Sequence, residues 1–176
     1  YNFPAIITCS CNNYGPNQFP EKLIPKIIFN LIKKKPIIVY GRGQNSREWI
    51  NVLDHCNALV AILDKGKVGN TYNIGTNQNF KNIQLVKKII NIYFKYFDRK
   101  NNSKIKFVKD RPGHDFRYSL DSEKIKKKLN WTAKISINDG LYNTIDWYLK
   151  NKSYFRPIKK ILINKRYGLN KWLKKE

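Results

Sequence analysis

The chain has no methionine, only three cysteines and four alanines, and twelve acidic residues against 35 basic ones in 176. Each shortage excludes something. With Tyr1 first and no Met anywhere, further sequence is expected upstream. Three cysteines, an odd count in a chain of this length, make no disulfide scaffold and fit a reducing compartment. Cys9 and Cys11 share one face of a strand pattern, but two thiols without clustered His or further Cys form no zinc set, so no metal is expected. No apolar run approaches the roughly 18 residues of a membrane span, and no signal peptide opens the chain. A soluble, cytoplasmic protein without a membrane partner is the expectation.

The abundant residues explain the charge. A net charge of +23 would ordinarily suggest a polyanion partner. The excess, however, is 28 Lys to 7 Arg, accompanied by 23 Ile and 22 Asn, the residues of A/T-rich codons. The lysines are scattered over the polar faces of helical patterns, where charge runs are usually solvated. Arg, the better bidentate reader of phosphates and bases, is scarce. Nucleic acid is therefore not expected as the main partner.

Strand and helix patterns alternate, which gives an α/β class. Residues 5–11 (AIITCSC) have the composition of a buried parallel strand and run into an Asn-rich turn at 12–16. Pro25 suits the first position of a helix with Ile27, Ile28, Leu31 and Ile32 on one face. Residues 36–40 form a strand closed by Gly41-Arg42-Gly43, and 49–52 are extended. Asp54 is the expected cap of a helix that buries Cys56, Leu59, Val60 and Leu63. After a strand at 71–75, Asn82 caps a helix with Ile83, Val86, Ile90, Tyr93, Phe94 and Phe97 inward. A strand at 105–108, a dense turn at 111–115, and helices capped by Ser122 and Ser136 follow. A basic, aromatic tail is expected from Tyr154. A parallel strand buried on both sides needs neighbours, so much of its sheet is expected to lie outside this chain.

Three segments carry chemistry. Asn12 and Asn13 follow a strand, where open α/β sheets bind ligands; an Asn-rich turn is the competing explanation. Arg47 lies just after a glycine-bearing turn and suits a phosphate or diphosphate, or else stacks on Trp49. Asp110-Arg111-Pro112-Gly113-His114-Asp115, with Arg117 and Tyr118 behind, concentrates special residues at a strand exit.

At these residues a resemblance emerges. Residues 12–16 (NNYGP) followed by 18–25 (QFPEKLIP), then Val39-Tyr40-Gly41, Arg47, Trp49, Asp54-His55, Tyr72-Asn73-Ile74-Gly75 and 110–115 (DRPGHD), in that order, resemble the dTDP-glucose 4,6-dehydratases of the extended short-chain dehydrogenase/reductase superfamily. The likeness spans nearly the whole chain, as the C-terminal half. It implies the end of a Rossmann-type NAD-binding sheet at 1–15 and 50–76, a small α/β sugar-nucleotide lobe at 16–49 and 77–153, and the tail at 154–176. The family's glycine-rich NAD turn, Asp-Glu pair and Tyr-x-x-x-Lys would precede Tyr1, so no catalytic residue is expected here. By the same resemblance, Asn12 would contact the sugar nucleotide and Asn13 the NAD side. Lys22 and Leu23 would hold the nucleotide, Ile38, Val39 and Tyr40 would flank the base, and Arg47 would clamp the diphosphate with Asn82 nearby. Arg111, His114 and Tyr118 would close the pocket. Implied partners are a dTDP-sugar, the N-terminal half and, at full length, a second copy in a homodimer. A UDP- or CDP-sugar dehydratase or epimerase and a non-catalytic nucleotide- or polyanion-binding remnant are the rivals. Cys9-Ser10-Cys11, Arg42, Asn17 and Ile50-Asn51 depart from the family pattern.

Overall fold

A computed structural model describes residues 3–155. Its strands are β1 (Ile7–Ser10), β2 (Asn12–Tyr14), β3 (Ile37–Tyr40), β4 (Ser46–Asn51), β5 (Thr71–Ile74), β6 (Asn79–Lys81), β7 (Ile105–Val108) and β8 (Arg117–Tyr118). The helices are α1 (Leu23–Ile32), α2 (Val52–Lys65), α3 (Asn82–Tyr96), α4 (Glu123–Leu129) and α5 (Ile137–Lys150), with a 3-10 turn at Lys152–Phe155. The α/β class holds, and β1–β5, β2–β4, β3–β7 and β4–β8 are parallel pairs while β4–β6 is antiparallel.

Two cores meet at β4. The larger joins α1, α3 and α5 through Ile28, Leu31, Leu85, Ile89, Leu141, Ile145 and Tyr148, and includes Trp49. The smaller contains Cys11, Ile50, Ala58, Ile62, Tyr72, Ile74, Ile125 and Leu129. Successive strand side chains point to opposite faces, so Trp49 and Ile50 enter different cores. Burial pushes the Cys11 thiol up to about 12, with the nearby Glu48 carboxylate adding to the effect.

Several expectations change. The strand expected over 5–11 divides: at Cys11 its N–H still bonds the Ile74 carbonyl at 3.1 Å, but from Asn12 the chain pairs with β4 instead of β5. Its burial is also incomplete, because among the described residues β1 pairs only with β5, leaving Ile7 exposed. Helix α1 starts at Leu23, so Pro25 falls at the third position, where its missing N–H is still no loss. In α2 the cap is Asn51, whose side chain accepts from Leu53 N–H at 3.0 Å; Asp54 is buried and accepts instead from Lys134 and Ile135 N–H, at 3.1 and 2.8 Å. The same helix buries Ala58 and Ile62, whereas Cys56, Leu59, Val60 and Leu63 face outward. The small Ala58 allows the close approach to the sheet that a bulkier stripe would prevent.

Helix α3 begins at Asn82 with Lys81 as its N-cap, and buries Leu85 and Ile89 in addition to Val86, Ile90 and Tyr93; Phe94 and Phe97 are half-buried. The Ser136 cap of α5 is present: its hydroxyl accepts from Asp139 N–H at 3.1 Å and donates to the Asp139 carboxylate at 2.6 Å. Phe155 is buried, tilted on Phe29 and stacked on Tyr148. Beyond Phe155 the expected tail lies outside the described residues.

Candidate functional site

The first residues of β2, the loop after it, the start of α1, β3, β4 and the 110–115 turn surround a cleft of about 450 Å³. Its walls bring together most residues that the sequence singled out. Asn12 and Asn13 come from β2, Lys22 and Leu23 from the entry to α1, and Ile38 and Tyr40 from β3. Arg47 comes from β4, Asn82 from the first residue of α3, and Arg111 and His114 from the turn. Val39 is not among them. It alternates with Ile38 and Tyr40 on β3, and its side chain belongs to the larger core. Tyr118 lies outside the cleft as well, on β8 beside Arg47 in register and partly exposed. A wider groove between α3 and α5, about 950 Å³, holds none of the expected residues.

Local chemistry fixes these positions. Gly41 and Gly43 turn the chain after β3 with φ of 54° and 66°, the left-handed region that favours glycine. A Cβ at Gly43 would stand 2.9 Å from both Ile83 and Val39 side chains, so the turn closes tightly on α3. Arg47 is only 8% exposed. Its guanidinium donates to the Ser46 and Asp115 carbonyls, each at 2.7 Å, and Asn45 also donates to Asp115 O at 3.2 Å. These bonds tie the 110–115 turn to β4. No described ion pair involves Arg47. Guanidinium has five N–H donors, so three remain beyond the two anchors. A buried cation without a carboxylate is costly unless an anion joins it.

At the other side of the cleft, His114 Nδ1 donates to the Asp110 carboxylate at 2.8 Å, which also accepts from Arg111 N–H at 2.8 Å. The His114 bond, foremost, holds the Asp110 carboxyl below its ordinary value. With a lowered pKa this anchor is present at neutral pH and lets go only in acid, as pH falls through the depressed value.

The cleft also contains residues that sequence reasoning missed: Gln18, Glu21, Lys26 and Trp49. Lys26 is one helical turn from Lys22, and Trp49 is two residues from Arg47 on one strand face, so both had a periodic signal. Gln18 had none beyond lying after a strand. Three amide oxygens on the wall, of Asn13, Gln18 and Asn82, are buried without a partner, as is Trp49 Nε1. Asn13 directs its amide N–H to Ser10 Oγ and Cys11 O, at 3.4 and 3.3 Å. The cleft thus offers cationic donors for an anion and amide groups for hydroxyls. Among the described residues, Tyr-x-x-x-Lys spacings occur at Tyr96/Lys100 and Tyr148/Lys152, but none of the four lines the cleft, and the Tyr148 hydroxyl is engaged with the Gln18 carbonyl.

A family model described as GDP-mannose 4,6 dehydratase matches residues 1–144. The dTDP-glucose 4,6-dehydratase of Haemophilus influenzae is 46% identical over 163 residues, 87% of this chain and 47% of that protein. The crystal structure of the Bacillus anthracis dTDP-glucose 4,6-dehydratase in complex with NAD superposes with a TM-score of 0.81 at 42% identity, covering 90% of this chain and 49% of the other. The Streptomyces venezuelae dTDP-glucose 4,6-dehydratase, also crystallised with NAD, gives 0.82 at 38% identity, covering 90% and 48%. The chain spans about half the length of the relatives it matches.

Proposed function

Because the chain belongs to the GDP-mannose 4,6 dehydratase family, we propose that its cleft holds a nucleoside-diphosphate sugar, dTDP-glucose, for NAD-dependent loss of water to a 4-keto-6-deoxy sugar. The chain supplies the sugar-nucleotide side, and the acid, base and glycine-rich NAD turn come from the remainder of the enzyme. The observation that carries this reading is Arg47, a buried guanidinium on the wall of a cleft with spare donors and no ion pair among the described residues.

The ligand divides along the cleft by chemistry. Ile38, Tyr40 and Leu23 offer an apolar and aromatic surface for the base. Arg47, with Lys22 and Arg111 lining the same cleft, faces the diphosphate. Asn12 meets the hydroxyl-rich hexose, and Asn13, next along β2, stands where the hexose adjoins the NAD side. NAD, when bound, takes up and returns the hydride. The donor set fits its neighbourhood at one point, Asn13, whose orphaned amide oxygen can accept from a carboxamide. Everything this chain does is binding and orientation: contacts far from the reacting carbons hold the sugar at the site of chemistry. The cytoplasm and a homodimer accord with this reading.

The base is tested by calorimetric titration with dTDP, dTDP-glucose, UDP-glucose and GDP-mannose. Tightest binding of the dTDP ligands, by about ten-fold, is expected. Preference for GDP-mannose would reassign the substrate, and no binding of any of the four would refute the proposal.

A further inference from the structure

We infer that Gln18 is a positioning residue for the hexose end of the cleft, fixing Asn13 through its side chain and itself fixed by Tyr148; this rests on the nucleotide-sugar reading above. The Gln18 amide N–H donates to the Asn13 main-chain carbonyl at 2.7 Å. Its own carbonyl accepts from the Tyr148 hydroxyl at 2.6 Å, 130 residues later in the chain. Tyr148 is fully buried, stacked on Phe155 and edge-on to Trp147, so its hydroxyl has a fixed origin. The preceding residue, Asn17, has φ of 60° and gives its carbonyl to the Tyr154 hydroxyl at 2.8 Å. The loop between β2 and α1 is therefore fastened from the far end of the fold, and Gln18 passes that constraint to the amide-bearing strand end.

Strand register says which part of a ligand this affects. Asn13 lies opposite Ile50, three residues along β4 from Arg47. At about 3.3 Å per residue, the Asn13–Gln18 end is roughly 10 Å along the strand from the anion clamp. The aromatic and apolar wall of Ile38 and Tyr40 is on β3, so a base seated there and a diphosphate at Arg47 leave the amide end for the hexose. The Gln18 amide oxygen, buried without a partner, is an acceptor held in reserve at that end.

The test compares dTDP-glucose with dTDP, which lacks the hexose, by calorimetry on the wild type, Gln18→Met, Tyr148→Phe and Arg47→Ala. Gln18→Met keeps the volume and removes both polar groups. It is expected to weaken dTDP-glucose by about ten-fold while leaving dTDP within about two-fold. Tyr148→Phe, which keeps the ring packing, is expected to shift affinity in the same selective direction by a smaller factor. Arg47→Ala is expected to weaken both ligands. A general packing defect would lower both affinities together. Equal weakening in Gln18→Met and Tyr148→Phe, no weakening in either, or a wild type that binds the two ligands equally overturns the assignment of Gln18 while leaving the function standing. A wild type that binds neither ligand overturns the functional reading, and this inference with it.

Discussion

Replacing Arg47 with Met removes the charge but keeps an unbranched chain of similar reach. A unit charge pair about 4 Å apart at an effective dielectric of about 20 is worth about 4 kcal/mol. Part of that is already spent on desolvating the ligand phosphate, which leaves about 3 kcal/mol, or roughly 100-fold in Kd. The effect on the unliganded fold is different. Two hydrogen bonds to the Ser46 and Asp115 carbonyls are lost, at about 1 kcal/mol each. Against this, a buried cation with no carboxylate partner is also removed, and replacing such charges by apolar groups is often neutral or stabilising. The two terms offset to within about 1 kcal/mol, a Tm change of about 2–4 °C for a domain of this size. Wild type at 100-fold excess of dTDP over Kd gains about 2.7 kcal/mol, a Tm rise of about 5–10 °C. Calorimetry gives Kd and thermal unfolding with and without dTDP gives the rest. The expected pattern is a nearly unchanged free Tm and a lost ligand-induced rise. Binding of dTDP by Arg47→Met within about three-fold of wild type would refute the role of Arg47 as anion clamp.

Glu48 is fully buried, and its carboxylate accepts from the N–H groups of Thr76, Asn77 and Leu120. Glu48→Ala removes the shared acceptor of three part-buried N–H groups and is expected to cost about 3 kcal/mol in urea unfolding; a loss under about 1 kcal/mol would mean the turn finds water instead. Thiol labelling near pH 8 should modify exposed Cys56 rapidly and leave Cys11 untouched until the protein unfolds, because the buried Cys11 thiol titrates only at about 12. Equal rates at the two sites would contradict the burial of Cys11.

The alternation of strand and helix was legible because the apolar periods of 2 and 3.6 are local properties. So was much of the cleft: Asn12, Asn13, Arg47, Arg111 and His114 sit where strand ends and glycine turns put them. What the sequence concealed was phase and partner. Helix α2 carries two strips at helical spacing, and periodicity cannot say which one meets a sheet; the smaller Ala58–Ile62 strip does so, aided by Asp54 receiving two N–H groups some 80 residues away. Strand phase was also hidden at Val39, whose side chain enters the larger core between Ile38 and Tyr40, since a shift of one residue exchanges cleft for core. Gln18 was missed because its importance depends on Tyr148, and no local signal links the two.

From Arg47 to Asn51, β4 is buried at every position, and each residue has a different duty. Arg47 serves the cleft, Glu48 fastens the 75–77 turn, Trp49 fills one core, Ile50 fills the other, and Asn51 caps α2. Such a strand has no spare position at which an error could be absorbed. Deleting a single residue upstream of it within the sheet would rotate every duty to the opposite face, turning the guanidinium and the indole together away from the cleft and Ile50 toward it. The outward lysines of α4, by contrast, can be exchanged among polar residues at little cost. Drift in this chain therefore has room on its helices and almost none along these five residues.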